Sequence, residues 1–138
     1  IMKNIIFIIF LLFSTNVIAD KNLIGKVIWC SYSNDEVVAL IGYKFLKNNE
    51  FEKWSKSSLI KKEYVKSSYT SNFNYIFLNY KYGIVRINRS TLEFTARDLT
   101  MHKGEDCEVV TPKSDDFEKL FDLEYFQILN SAKKSKKI

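Results

Sequence analysis

One histidine, one proline, four glycines and two cysteines among 138 residues leave little material for the commoner kinds of active site. Zinc binding would need ligands beyond the two cysteines and His102, and His102 has no companion at ligand spacing. No Gly-x-Ser-x-Gly elbow occurs, so no serine is marked as an oriented nucleophile. His102 stands between Met101 and Lys103 in a stretch that reads as a loop, which suits a surface histidine better than a general base. Glu50 with Glu52, and Asp115 with Asp116, are paired carboxylates; the first pair reads as a solvated strand face and the second as a helix start. The chain is therefore expected not to be an enzyme, and to use neither a metal nor a cofactor.

Charge of one sign is also scarcer than the totals suggest. The net charge is +5 and the isoelectric point near 9.1. Removing Lys3 and the terminal Lys133, Lys134, Lys136 and Lys137 from the 21 Lys and Arg leaves 16, equal to the 16 Asp and Glu. A neutral body with a basic tail argues against a nucleic-acid groove. Long apolar runs are limited to one, Ile5 to Phe13, preceded by Lys3 and followed by Ser14-Thr15-Asn16 and Val17-Ile18-Ala19. That order is the layout of a secretory signal, with cleavage expected between Ala19 and Asp20. The expected division is a signal peptide over 1–19, one domain over 20–132 and a basic tail over 133–138. The destination is periplasmic or secreted, without stable membrane insertion after cleavage, and a monomer is expected.

Cys30 and Cys107 both follow the signal, and in an oxidising compartment an even pair with no competing thiol reads as one disulfide. Closing a loop of that length stabilises by ~4 kcal/mol in the chain-entropy model. From Asp20 on, short β-favouring runs alternate with turn residues: 23–32, 36–47, 50–56, 60–68, 73–80, 83–88, 91–97 and 105–111. Pro112 ends the last run. Ser114 or Asp115 can then cap a helix over about 114–130, whose Phe117, Leu120, Phe121, Leu123, Phe126, Ile128 and Leu129 form a wide apolar face. Eight sequential strands and one helix indicate an all-β, eight-stranded antiparallel up-and-down barrel with a C-terminal α-helix, a sandwich being the second choice. In a closed meander the first and last strands are neighbours, and the two cysteines fall on them.

Several short motifs, including Gly25 with Trp29-Cys30, Gly42-Tyr43-Lys44-Phe45-Leu46, Tyr69-Thr70-Ser71, Ile87-Asn88-Arg89-Ser90-Thr91-Leu92 and the late Cys107, resemble those of small exported proteins of AT-rich marine bacteria of the Pelagibacter type. That resemblance implies export and no particular chemistry. The strand-and-helix order is more distantly similar to lipocalins, whose first-strand Gly and Trp are two positions apart where Gly25 and Trp29 are four.

The aromatic residues carry the functional expectation. Tyr43, Phe45, Trp54, Tyr75, Phe77 and Phe94, if they face inward, line an apolar site with tyrosine hydroxyls to orient a small apolar ligand in the barrel mouth. The same rings could instead fill the barrel. A filled barrel would suit a periplasmic protein-interaction role, such as inhibition of a cell-wall enzyme. Intact-mass measurement of the exported chain is expected to give Asp20 as first residue and a mass lighter by two hydrogens than after reduction; an uncut chain or free thiols would contradict this reading.

Overall fold

The computed structural model describes residues 23–135, so the expected signal segment and the last three residues lie outside the described part. Nine strands follow one another: β1 (Val27–Ser33), β2 (Val38–Phe45), β3 (Glu50–Ser57), β4 (Glu63–Ser71), β5 (Tyr75–Tyr80), β6 (Gly83–Asn88), β7 (Phe94–Ala96), β8 (Leu99–His102) and β9 (Cys107–Val110). Helix α1 (Phe117–Ser135) ends the described chain. Every neighbour from β1 to β8 pairs antiparallel with the next, and β9 turns back to pair with β1. The result is a nearly closed up-and-down barrel with one C-terminal helix, a lipocalin-like architecture. Cys30 and Cys107 are direct partners across β1 and β9, with Cα atoms 4.1 Å apart, and their sulfurs are joined.

The strand count exceeds expectation by one, and the reason is local. Ala96 and Leu99 are paired across a two-residue turn in which Arg97 and Asp98 have φ of 50° and 66°. This mirror-image turn suits the twist of a hairpin but normally advertises itself by Asn or Gly. Arg97 gives no such signal, so β8 reads as loop. The preceding strand also shrinks, because the Asn88 side chain accepts the backbone N–H groups of Ser90 and Thr91 and holds residues 88–93 as a loop. Asn34 and Asn72 cap their own turns in the same way, which explains why asparagine marks so many strand boundaries here.

Alternation along the strands builds two cores. Inside the barrel lie Ile28, Cys30, Tyr43, Phe45, Phe51, Tyr69, Ile76, Leu78, Val85, Ile87 and Phe94. On the outer face Val27, Trp29, Val38 and Leu40 pack against Phe117, Phe121 and Tyr125 of α1, which recur every four residues and so share a helix face. Leu123 and Phe126, expected on that face, point away and are exposed. The helix begins later than the sequence suggests. Asp116, not Ser114 or Asp115, is its cap, accepting the Lys119 N–H at 3.1 Å. It also continues through Lys133 and Lys134, where cations complement the carboxyl end. Lys62 ties the first turns down by pairing with Glu118 at 3.0 Å and Asp122 at 3.2 Å.

Gly42 sets the distance between helix and sheet. It is the cross-strand partner of Trp29, and a Cβ there would fall on the Trp29 ring and 3.2 Å from the Phe117 ring. Gly42→Ala is therefore expected to lower unfolding free energy by about 1–3 kcal/mol, as overpacking does. Urea midpoints and tryptophan emission check this; an unchanged midpoint would show that the helix seat adapts.

Candidate binding site at one mouth of the barrel

In a meander, alternate turns fall at the same end. The β1–β2, β3–β4, β5–β6 and β7–β8 turns define one end, here the lower, and the remaining connections the upper. Towards the upper end the inner face carries large rings and aliphatics: Phe45, Phe51, Leu78, Ile87 and Phe94 are wholly buried. Edge-to-face contacts bind them, such as Phe45 with Tyr69 at 5.1 Å and Phe51 with Tyr80 at 5.6 Å. Towards the lower end the same faces carry Ala39, Ile41, Lys53, Ser55, Ser57 and Ala96, all only half-buried. Small side chains cannot meet across a barrel of this girth, so the lower interior is open; at the upper end a further cleft of about 250 Å³ lies over the buried rings, lined by Lys26, Ile28, Phe45, Ile76, Arg89 and Leu92 among others.

Two clefts occupy that open end. One of about 310 Å³ is lined by Lys53, Tyr80, Val85, Ala96, Arg97 and Met101, among others. The other, about 250 Å³, lies between Ala39, Ile41, Ser55, Ser57, Ile60 and Glu63. Lys53 follows Phe51 by two positions on β3 and so shares its inward face. Its ammonium lies 5.0 Å from the centre of the Tyr80 ring, a cation–π contact. Among the described residues no carboxylate comes within ion-pairing distance of it. Burial lowers its pKa, and the nearby Glu63 opposes that only in part.

Deeper in, a chain of polar groups backs the cleft. The Tyr43 hydroxyl is 3.0 Å from His102 Nε2, and the Tyr80 hydroxyl bonds to Tyr43. Both proton orders satisfy the chain. Tyr43 can donate to the imidazole and accept from Tyr80, or accept from a protonated Nε2 and donate to Tyr80. Burial is the main cause of every shift here. It raises Tyr43 well above an ordinary phenol, pushes Tyr80 up to about 12 and lowers His102, with the Lys53 charge lowering His102 further and Asp106 acting against it. At neutral pH the chain is thus uncharged, with the Lys53 charge acting on it.

Of the six aromatic residues expected to line a site, three are inside. Tyr43, Phe45 and Phe94 belong to the inner core, with the Tyr43 and Phe94 rings 4.8 Å apart. Trp54 lies on the outer face beneath α1, against Phe121 and Tyr64, with Lys62 above its ring. Tyr75 and Phe77 are also on the outer face, because Ile76 and Leu78 take the inner positions of β5, and Arg86 covers the Tyr75 ring at 4.7 Å. None of the six lines the larger cleft. Its polar members, Lys53 and Tyr80, were legible from alternation: each has the parity of a buried neighbour on its own strand. His102, expected on a surface loop, stands on β8 half-buried, edge-on to Phe94 at 5.0 Å.

No protein-family model, curated protein or solved structure matches this chain. Among the described residues no cluster of His, Cys, Asp and Glu could hold a metal ion. The cleft pairs a mostly apolar wall with the Lys53 ammonium, the Arg97 guanidinium at its rim and the Tyr80 hydroxyl, an arrangement that can orient a small molecule by one polar end.

The burial of His102 has a consequence for stability. Its pKa in the folded chain is below the ordinary 6.5, so the unfolded chain takes up the proton first as pH falls. Its contribution is complete above about pH 6.5 and is lost as pH drops towards the folded-state value. Urea midpoints measured from pH 8 to pH 5 are expected to fall more steeply for the native chain than for His102→Gln. Parallel curves would mean that the imidazole is solvated.

Proposed function

We propose that the chain is an exported, non-enzymatic binding module that holds a small, largely apolar molecule in the lower mouth of the barrel, its acidic end against Lys53. The observation that carries this reading is the unpaired ammonium of Lys53 set into the wall of an otherwise mostly apolar cleft of about 310 Å³. A partly buried ammonium without a counter-ion is held at some expense in solvation. A ligand carboxylate would relieve that penalty, and a charge-assisted hydrogen bond of this type contributes about 1.5–3 kcal/mol. The cleft volume falls at the small end of the range for small-molecule sites, ~300–1,000 Å³. The disulfide between β1 and β9 suits an oxidising compartment and supports the exported setting.

The uncharged Tyr43–His102–Tyr80 chain fits positioning better than proton transfer in this reading. Its members satisfy one another, and Tyr43 and His102 stand outside the cleft lining. Tyr80 reaches the cleft and would orient the ligand's polar end beside Lys53.

Titration with decanoate and decanol, followed by intrinsic tyrosine and tryptophan fluorescence, tests the proposal. Decanoate is expected to bind the native chain more tightly, and Lys53→Met to weaken it by about 10- to 100-fold while leaving decanol unchanged. The same substitution should leave the urea midpoint equal or raised, since it removes a partly desolvated charge. Failure of both compounds to bind would refute a binding module for aliphatic ligands. Equal binding of both, insensitive to Lys53→Met, would refute the role of the ammonium.

A further inference from the structure

The four most exposed large apolar side chains among the described residues lie at one end of the barrel. Tyr82 is 84 % exposed, Leu59 76 %, Leu99 72 % and Ile60 61 %. Leu59 and Ile60 stand in the β3–β4 turn, Tyr82 in the β5–β6 turn, and Leu99 opens β8 just after the β7–β8 turn. All three turns are at the lower end, around the mouth. Ile84 and Met101, one step inward on β6 and β8, are exposed as well and line the cleft wall. Scattered exposed apolar residues need no explanation, but a ring of them at the tips of successive turns does.

Each tip has a cation close by in sequence. Lys61 follows Ile60, Lys81 precedes Tyr82 with its ammonium 5.8 Å from the ring centre, and Arg97 precedes Leu99 by two positions. Acidic residues at this end are Asp98 in the β7–β8 turn, Glu63 at the start of β4, Asp35 and Glu36 in the β1–β2 turn and Glu124 of α1 beside Ser33, while Glu118 and Asp122 of α1 are paired with Lys62. The acidic β1–β2 turn carries no large apolar tip. Helix α1 runs towards the same end, with Ile128 and Ala132 beside Ser33, so Lys133 and Lys134 emerge next to that turn.

The geometry points to a docking surface for an anionic lipid bilayer, formed by the tips of the β3–β4, β5–β6 and β7–β8 turns. Apolar side chains that project singly from turns reach past headgroups into the acyl boundary, while cations a residue or two away remain at the phosphates. An aromatic tip with a polar hydroxyl, such as Tyr82, belongs at that boundary. A protein partner would have to seal three separated tips and cover the cleft between them. A bilayer meets all three at once without a shaped complement, and it places the cleft opening against a source of amphiphiles. With these tips down, the acidic β1–β2 turn tilts away from the surface. The upper end offers no equivalent ring, its turns being built mainly of Asn, Ser, Thr and charged residues, with Phe73 and Ile24 the strongly exposed large apolar side chains there among the described residues. Docking does not depend on what the cleft binds, so this inference and the proposed ligand stand or fall separately.

Flotation of the full exported chain with vesicles of phosphatidylcholine, and of phosphatidylcholine with one-third phosphatidylglycerol, tests it. Binding to the anionic vesicles and a much weaker response to the neutral ones is expected. Leu59→Asp with Leu99→Asp should reduce binding by about tenfold or more, and Lys61→Glu with Lys81→Glu should abolish the anionic preference; circular dichroism and the urea midpoint check that these turn variants remain folded. Absence of binding to both vesicles overturns the inference. So does binding that the tip variants leave unchanged, which would assign it to the terminal lysines, and so does specific capture of a protein at the tips with no lipid binding.

Discussion

Strand β2 is buried on both of its faces, and the rest of the molecule is arranged around that constraint. Its inward residues Tyr43 and Phe45 anchor the barrel core, while its outward Val38, Leu40 and Gly42 form the seat of helix α1. A strand with one solvated face would need only one set of apolar partners. β2 needs two, and it obtains them from β1 on one side, β3 on the other, and the helix above. Trp29 can lie flat between sheet and helix only because its cross-strand partner is a glycine.

The same arrangement makes the two ends of the barrel unlike each other. Large rings on the inner face are concentrated towards the upper end and wholly buried, with a cleft of about 250 Å³ over them between Lys26, Ile28, Phe45, Ile76, Arg89 and Leu92. Below Tyr43 the inward positions of β2, β3 and β7 are Ala, Ile, Ser and Lys, and the lumen opens. Packing and open space thus both occur along the one axis, with the small inward side chains bordering the two lower clefts.

Much of this was legible in the sequence. Alternation and turn residues located eight of the nine strands approximately, and the positions of Cys30 and Cys107 on the first and last strands correctly implied that those strands are neighbours. β8 was hidden because Arg97 and Asp98 adopt a left-handed turn without the usual glycine or asparagine signal at the first position. The site was harder to read. Tyr75 and Phe77 were as apolar as Ile76 and Leu78, so composition gave no reason to choose one parity of β5 over the other. Lys53 stands between Glu52 and Trp54, a setting that suggests a solvated lysine, although its spacing from Phe51 puts it inside. His102 depended on β8, and could not be placed until that strand was.

The small inward residues at the lower end carry a consequence beyond the present cleft. Ala39, Ser55, Ser57 and Ala96 border the open lumen while the fully packed rings above carry the cohesion of the fold. Enlarging or polarising one of these four alters the capacity of the chamber with little demand on the core. The scaffold therefore separates the positions that carry the packing from those that border the clefts, and a single substitution among the latter would reshape a chamber without touching the rings that hold the barrel together.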